Sequence, residues 1–410
     1  MALSGTDSLF AISKQPAGST NGFGNIGVAS IFVDAIAPGF AVAENTKVRR
    51  SHIGQSPYER GAYKVGVGAP ISATFEATPN IMGTILNLAL GKVESGDWFN
   101  LKLSVAPTTG DILIWISPTV VTLSCAATDF AAEIKTKFEA SSLVDVGANP
   151  TRRVIVNKID DTNYNIGFIN QPSLAWLYKT DDVLQTHLGT VTLTDVAGGA
   201  HLIRLDPAAK YAIPWFTAWR SIGTVLKEVA LNGKVASLDM IFAGQDAVIA
   251  SMNGAALNPR RLDQGSSDPV DSLPTPTYDT TPVLTVMDGS HATITIGGVK
   301  YGSRATSPID VLGARLRFMN NLTPMDERYR VGSKFPAGLD VLSRGTSVEL
   351  STEFADAALY DALLYSANEW NTQPITGSVT LAATTSVAPG SVQHVLQANL
   401  NNVLFSAQSV

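Results

Sequence analysis

The sequence predicts a mainly β protein with a few flanking helices, two similar β-rich halves and a small inserted α+β segment. Three observations carry this. First, residues 347–354 alternate strictly. Ser347, Glu349, Ser351 and Glu353 are polar, whereas Val348, Leu350, Thr352 and Phe354 are apolar or β-branched. A period of two places one row on a core and the other in water. A helix is predicted to follow over 356–367, with Asp356 as N-cap and Leu359, Leu363 and Leu364 on one apolar stripe. Second, the same unit occurs earlier. Ile71, Ala73 and Phe75 alternate with Ser72, Thr74 and Glu76, and a helix is predicted over 80–90, ending at Gly91. Ser56-Pro57 precedes Tyr63-Lys64-Val65-Gly66, as Thr323-Pro324 precedes Tyr329-Arg330-Val331-Gly332. The second copy carries a longer loop over 333–343, where insertions cost little. Third, the chain is 45% hydrophobic but only 16% charged, against about 25% charged in typical domains. That excludes disorder and points to surface covered by other subunits, because interface cores are depleted in charge.

The charge balance bounds the partners. Net charge is −6, and no basic patch is large enough to grip phosphates. The single Cys125 excludes an internal disulfide and a cysteine-based zinc site; a small buried residue is its expected role. The first residues carry no basic n-region before an apolar run, so no secretory signal is expected. No stretch approaches the roughly 20 apolar residues of a membrane span.

Taken in order, residues 1–45 are Gly/Ser/Asn-rich and then apolar. Gly22, Gly24 and Gly27 fit G-x-G-x-x-G, but loop residues precede them where a buried strand is required, so a flexible arm or a turn is expected rather than a nucleotide site. A strand over 31–40 should end at Pro38-Gly39. Lys47, Arg49, Arg50, Glu59, Arg60 and Lys64 then fall in an extended hairpin, mirrored later by Arg315, Arg317, Asp326, Glu327, Arg328 and Arg330. Mixed charges on such arms are either a solvated surface or a contact between subunits.

Residues 96–200 form the insertion. Strands are predicted over 101–105, 112–116 and 119–125, then a helix over 129–143 with Phe130, Ile134 and Phe138 on one face. A hairpin over 153–169 should turn at Asp160-Asp161-Thr162-Asn163. Phe130, Phe138, Trp176 and Tyr178 are its expected core. Asp160, Asp161, Asp181 and Asp182 lack the glycine-punctuated loop of a calcium site, and turn chemistry accounts for them.

The main body resumes near 202 with an aromatic patch at Trp215, Phe216 and Trp219. Residues 228–231 and 234–242 read as a hairpin around Asn232-Gly233. Another strand covers 247–252, and the Pro/Ser/Asp/Gly-rich stretch 258–282 reads as a linker. Hairpin strands over 292–296 and 299–301 open the second half, and strands near 378–382 and 397–405 close it. The resulting domains are 1–95 with 201–258, the insertion 96–200, a linker 259–282, and 283–410.

No catalytic constellation emerges. His52, His187, His201, His291 and His394 have no partner ligand at i+2 to i+4, and H-E-x-x-H, G-x-S-x-G and P-loop motifs are absent. Glu349 and Glu353 would stand about 13 Å apart by strand rise, beyond the ~5–9.5 Å of paired glycosidase carboxylates. An enzyme is not expected, nor a metal, nor a cofactor.

Several pieces together carry a family resemblance. In the first half they are the strand over 44–50, then Ala69-Pro70-Ile71 to Phe75 and Pro79, a helix ending Leu88-Ala89-Leu90-Gly91, and Leu231 to Leu238. In the second half they are Ile294 to Val299, Asn320-Asn321-Leu322-Thr323-Pro324, and Val348 to Tyr360. Over about 5–95 and 205–405 the chain resembles the major tail tube proteins of long-tailed, siphovirus-like bacteriophages. The resemblance implies two tandem tail-tube-type β-sandwich or half-barrel domains whose strands join those of neighbours into closed rings. Closure removes the exposed sheet edges. Two units per chain imply a trimeric ring of pseudo-sixfold symmetry, with rings stacked into a tube. The tube is a structural virion conduit for DNA during genome ejection, assembled by self-assembly in the host cytoplasm. Implied partners are further copies of the chain, with tail tip, terminator and tape-measure proteins, and DNA passing without specific binding. On that reading the polar strand rows nominate Ser72, Thr74, Glu76, Glu349, Ser351 and Glu353 for the lumen. The hairpins 54–66 and 322–346 and the N-terminal arm are nominated for ring-to-ring contact, through Glu59, Arg60, Lys64, Asp326, Glu327, Arg328 and Arg330. The insertion should face outward. The rival readings are a β-rich enzyme, or another virion surface, decoration or glycan-binding β-protein, for which Trp215 to Trp219 would be an exposed platform.

Overall fold

The computed structural model describes residues 8–15, 31–32, 35–40, 43–48, 62–108, 112–116, 120–124, 130–141, 152–170, 177–179, 190–195, 200–206, 209, 211–222, 226–243, 246–261, 286–296, 299–301, 311–324, 327, 338–352, 361, 365–366, 369–370, 375–385 and 394–405. The protein is mainly β. In chain order the first elements are β1 (Ser8–Lys14), β2 (Ile31–Phe32), β3 (Ala35–Phe40), β4 (Ala43–Val48), β5 (Ala62–Glu76) and helix α1 (Pro79–Leu90). Then come β6 (Gly91–Leu103), β7 (Ile112–Ile116), β8 (Val120–Ser124), helix α2 (Phe130–Glu139), β9 (Arg153–Asp160), β10 (Asn163–Ile169), β11 (Leu177–Lys179), β12 (Val191–Asp195) and β13 (Ala200–Leu205). The rest is β14 (Phe216–Ile222), β15 (Leu226–Ala243), β16 (Ile249–Arg261), β17 (Met287–Ile296), β18 (Val299–Tyr301), β19 (Val311–Leu322), β20 (Val341–Thr352), β21 (Tyr365–Ser366), β22 (Glu369–Trp370), β23 (Ile375–Thr385) and β24 (Val395–Phe405). Two compact units result, one of residues 1–91 with 205–410 and one of residues 92–204.

The smaller unit holds a sheet of order β12-β6-β10-β9, with β13 also on β6, and a three-stranded sheet β11-β7-β8. Its core is aromatic. The predicted stripe Phe130, Ile134 and Phe138 is buried on α2, and edge-on contacts join Phe130 to Tyr164 and Phe138 to Phe168 at 5.2 and 5.1 Å. Asp160 pairs with Asn163 across the expected two-residue turn. Trp176 lies outside the described residues. The first strand of this unit begins at Gly91, straight out of α1, and not at residue 101 as its composition suggested. Near that start Glu94 is 6% exposed and accepts two hydrogen bonds from Arg204, Nε at 3.1 Å and Nη2 at 2.8 Å, with Lys92 at 3.0 Å. The Arg204 bonds, opposed by burial and assisted by Lys92, hold its carboxyl down to about 2 from 4.5.

In the larger unit, β15 organises the main sheet, whose path is β2-β1-β14-β15-β16-β5-β3, with β19 also on β15, β20 on β19 and β4 on β5. β16 lies along one edge of β15 throughout. The other edge is shared: residues 226–233 pair with β14, and residues 237–243 pair with β19. The Asn232-Gly233 step sits at that change of partner. The sequence predicted a hairpin turn there, but the strand runs through it. Asn232 takes φ +55°, and β15 carries one extra residue opposite β14, a bulge. Strands on both edges hold the chain extended, so local turn chemistry yields to pairing. Glycine is required at 233 because an added Cβ would lie 2.5 Å from the Phe216 ring.

Helix α1 starts with Pro79 in its first turn. It buries Ile81, Met82, Ile85, Leu86, Leu88, Ala89 and Leu90, packing on β15 and β1. It ends where Gly91 turns to φ 103° and donates to Asn87 O. Its last carbonyls are then capped from far along the chain. Asn320 Nδ2 donates to Ala89 O at 2.9 Å and to Val235 O at 3.1 Å. Arg344 donates from Nη2 to Ala89 O at 2.6 Å and from Nε to Asn320 Oδ1 at 2.7 Å. A cation beside a helix C-terminus is favourable, and no polar atom of the Asn320 amide is left unpaired.

A second sheet, β18-β17-β23-β24, contributes Ile294, packed with Val311, Leu350, Ile375 and Phe405. Three backbone bonds stitch the strand ends: Ala77 N to Val248 O, Val248 N to Met287 O, and Met287 N to Ala77 O.

Several expectations are corrected. Residues 8–15 are not a free arm; β1 pairs with β14 along its length, and Phe10, Ala11 and Ile12 are buried. Seven residues with an apolar centre suffice once a partner supplies the ladder. β3 continues through Pro38-Gly39, tolerated because, among the described residues, it pairs with β5 alone and lies at the edge of the sheet. The expected linker begins later, since β16 extends through Arg261. Residues 341–346, expected to belong to the hairpin 322–346 ahead of the strand, are the first half of β20, paired with 318–322. The helix expected over 356–367 does not reach its end, because Tyr365–Ser366 pairs with Glu369–Trp370; Asp361 is helical, and the other residues before 365 lie outside those described. The Gly22 to Gly27 motif also lies outside them.

Two predictions follow from this packing. Gly233→Ala should lower the thermal stability of the purified protein by about 1–3 kcal/mol through overpacking, and Phe216→Leu in the same chain should recover part of the loss in a denaturation series. Glu94 has a folded pKa below its unfolded one, so its contribution is present above about 4.5 and is lost as pH falls toward about 2. Glu94→Gln should therefore cost roughly 3 kcal/mol at neutral pH and flatten the acid limb of the stability curve within that window.

Candidate functional site

The site is one face of the main sheet, built by alternation. On the inner side Ile71, Ala73 and Phe75 of β5, Ala250 and Met252 of β16, Leu238, Met240 and Phe242 of β15, and Ala314 and Leu316 of β19 are buried. Successive side chains of a strand point oppositely, so the intervening residues all meet on the other face. Register then sets them in rows. One row runs Ser72, Asn253, Ser237, Met319, Gly345. The next runs Thr74, Ser251, Asp239, Arg317, Ser347, and the third Glu76, Ile249, Ile241, Arg315, Glu349. Ser351 lies beyond, opposite Gly313. Five strands at ~4.8 Å make this face about 19 Å wide.

Ser72, Thr74, Glu76, Glu349 and Ser351, nominated from two distant stretches, thus share one face of one sheet; Glu353 lies outside the described residues. Ser72 and Thr74 are half-buried, and Glu76, Glu349 and Ser351 are exposed. The residues between them were not nominated. Ser237 and Asp239 did alternate in the sequence, and Arg315 and Arg317 did stand out as charges, but the adjacency of β15, β16 and β19 to β5 and β20 had no local signal.

Short polar side chains bond along the rows. Thr74 Oγ1 lies 2.9 Å from Ser251 Oγ, Asn253 Nδ2 donates to Ser237 Oγ at 3.4 Å, and Asn321 Nδ2 donates to Ser343 Oγ at 2.7 Å. The charges are clustered. Asp239 Oδ1 accepts from Arg315 Nε at 2.9 Å, and Oδ2 accepts from Arg315 Nη2 and from Arg317 Nη2, the latter at 3.0 Å. Arg315 Nη1 also stands 3.9 Å from Glu349. The Arg315 hydrogen bonds first, and those of Arg317 after the opposing effect of burial, hold the Asp239 carboxyl below the usual carboxylate range.

The other nominated residues fare differently. Glu327 is exposed, and Lys64 falls in β5, paired with β4; Glu59, Arg60, Asp326, Arg328 and Arg330 lie outside the described residues. The base of the second hairpin is pinned, since Thr323 N and Oγ1 both donate to Asp340 O and Asp340 N donates to Thr323 Oγ1. The aromatic patch is no exposed platform. Phe216 and Trp219 are 0% and 4% exposed, and Trp215 carries the Lys234 ammonium 4.2 Å from its ring centroid. Among the described residues no three His, Cys, Asp or Glu gather to hold a metal, and no helix is long and apolar enough to cross a membrane.

No curated protein matches the chain. A model of the family described as phage tail tube protein matches residues 5–393. That span takes in the main-sheet strands of the first part of the chain and also β19 and β20, which complete that sheet from the second part. The chain is therefore a member of the phage tail tube protein family, a structural component of the virion tail that self-assembles into its tube.

Proposed function

We propose that three chains close into a ring of pseudo-sixfold symmetry, that rings stack into the tube, and that the polar sheet face lines the DNA conduit. The observation that carries this is the largely polar face formed by β5, β16, β15, β19 and β20, interrupted by Met319, Ile249 and the exposed Ile241, with strands from both ends of the chain side by side. Residues of that face bond mainly to one another, as suits a wall that a polyanion must slide past. Glu76, Glu349 and Ser351 would contact the solvent of the channel, and the Glu carboxylates would repel phosphate. Among the described residues β20 pairs with β19 alone, which leaves an edge that a neighbouring chain can continue. The hairpins around residues 54–66 and 322–346 would bridge successive rings through Glu59, Arg60, Lys64, Asp326, Glu327, Arg328 and Arg330. The unit of residues 92–204 would project outward. Tail tip, terminator and tape-measure proteins would be the other partners, with assembly in the host cytoplasm.

Concentrated purified protein should form hollow tubes in negative stain, and solubilised rings should weigh three chains; a six-chain ring would remove the trimer. Replacing Glu76 and Glu349 together by Lys should leave tubes intact and slow DNA ejection from virions severalfold, as timed by a dye entering the released DNA. Ejection at the normal rate would count against this face as the wall.

A further inference from the structure

The polar face carries two arginines, which is the wrong charge for a surface that DNA must pass without gripping. Each is 40% and 37% exposed, Arg315 and Arg317 respectively, so neither is sequestered by burial. They stand two residues apart on β19, on the same side of the strand. Two guanidiniums so placed match the fork geometry that binds phosphate oxygens.

Asp239 accepts hydrogen bonds from Nε and Nη2 of both arginines. It sits directly opposite Arg317 in the β15–β19 register, with Arg315 diagonal to it. Its side chain is 12% exposed, and both oxygens are engaged. Glu349, 67% exposed, approaches Arg315 from the β20 side, opposite it in register. Two cations therefore face two carboxylates, one buried at the base and one at the rim. The buried one is the stronger hold, since an exposed pair contributes little and is screened. Ser251 and Ser347 flank Asp239 and Arg317 in the same row and bring no further charge.

Resting on the conduit reading of this face, we infer that Asp239 is a charge clamp: it keeps Arg315 and Arg317 folded onto the sheet and unavailable to passing nucleic-acid phosphates. The arginines are retained for cross-strand pairing of β15 with β19, and the carboxylate between them cancels the affinity they would otherwise have for a polyanion. Their partner class is thus a phosphodiester backbone, and the built-in aspartate is what prevents the engagement.

The test uses full-length protein as unassembled subunits, with a short fluorescent DNA duplex as probe. Asp239→Asn keeps the shape of the side chain and removes its charge. Folding is checked by thermal denaturation. The variant should bind the duplex at least tenfold more tightly than the parent at low salt. The slope of log affinity against log salt should steepen by up to about two, the number of phosphates the two arginines can newly contact. The triple variant Asp239→Asn, Arg315→Gln, Arg317→Gln should return to the parent's weak binding. Glu349→Gln, which leaves the buried carboxylate in place, serves if Asp239→Asn fails to fold; it should give a smaller gain, and one that disappears with Arg315→Gln. A folded Asp239→Asn that binds no tighter, or a triple variant that still binds tightly, overturns the clamp, as does Glu349→Gln without any gain where it is the variant used. Virions carrying Asp239→Asn form the second arm and should eject DNA more slowly. A gain in subunit binding with unaltered ejection would overturn the placement of this face on the conduit, so the two readings fail separately.

Discussion

A β-strand has only two edges, and β15 uses one of them twice. Its first part pairs with β14 and its last part with β19, while β16 runs along the opposite edge. Between the two partners lies a stretch whose backbone groups would be left unpaired, and burial there makes an unpaired carbonyl costly. The bulge at Asn232 shortens that gap on one side. Asn320 then covers Val235 O with its amide and reaches the end of α1 with the same nitrogen. Helix, forked strand and the β19–β20 hairpin are thereby fixed by one buried side chain and the Arg344 guanidinium that holds it.

The consequence appears on the opposite face. Once β19 and β20 are locked to β15, the rows of β5 and β20 are brought into one surface. Short Ser, Thr and Asn side chains bond to one another there, so few charges are needed on that face. Arg315, Arg317, Asp239 and Glu349 are arranged as pairs across neighbouring strands, where opposite charges support the register. This economy of charge fits a chain only 16% charged overall.

Legibility followed the range of the interactions. The strand over 71–75, the helix after it, and the alternation of 347–352 were readable because period and capping are local; α1 runs Pro79–Leu90, and Val348, Leu350 and Thr352 are half-buried between exposed neighbours. The α2 stripe and the Asp160–Asn163 turn were readable for the same reason. Asn232-Gly233 misled because the dipeptide permits a turn without compelling one. β1 was missed because a short strand between polar flanks is decided by its partner, not by its own pattern. Phe216 and Trp219 read only as an aromatic patch, a platform on the rival reading, and their burial shows once the strands around them are placed.

By itself, then, the sequence determined the class of the protein: β-rich, sparsely charged, with alternating strands and rows of small polar residues, since these depend on contacts within a few residues. The tertiary structure alone decided that Ser72, Thr74 and Glu76 share a face with Glu349 and Ser351, and that Asp239 stands between Arg315 and Arg317. Such neighbours are set by which edges pair and in what register, and hydrogen bonding between backbones carries no side-chain signature that a linear pattern could display.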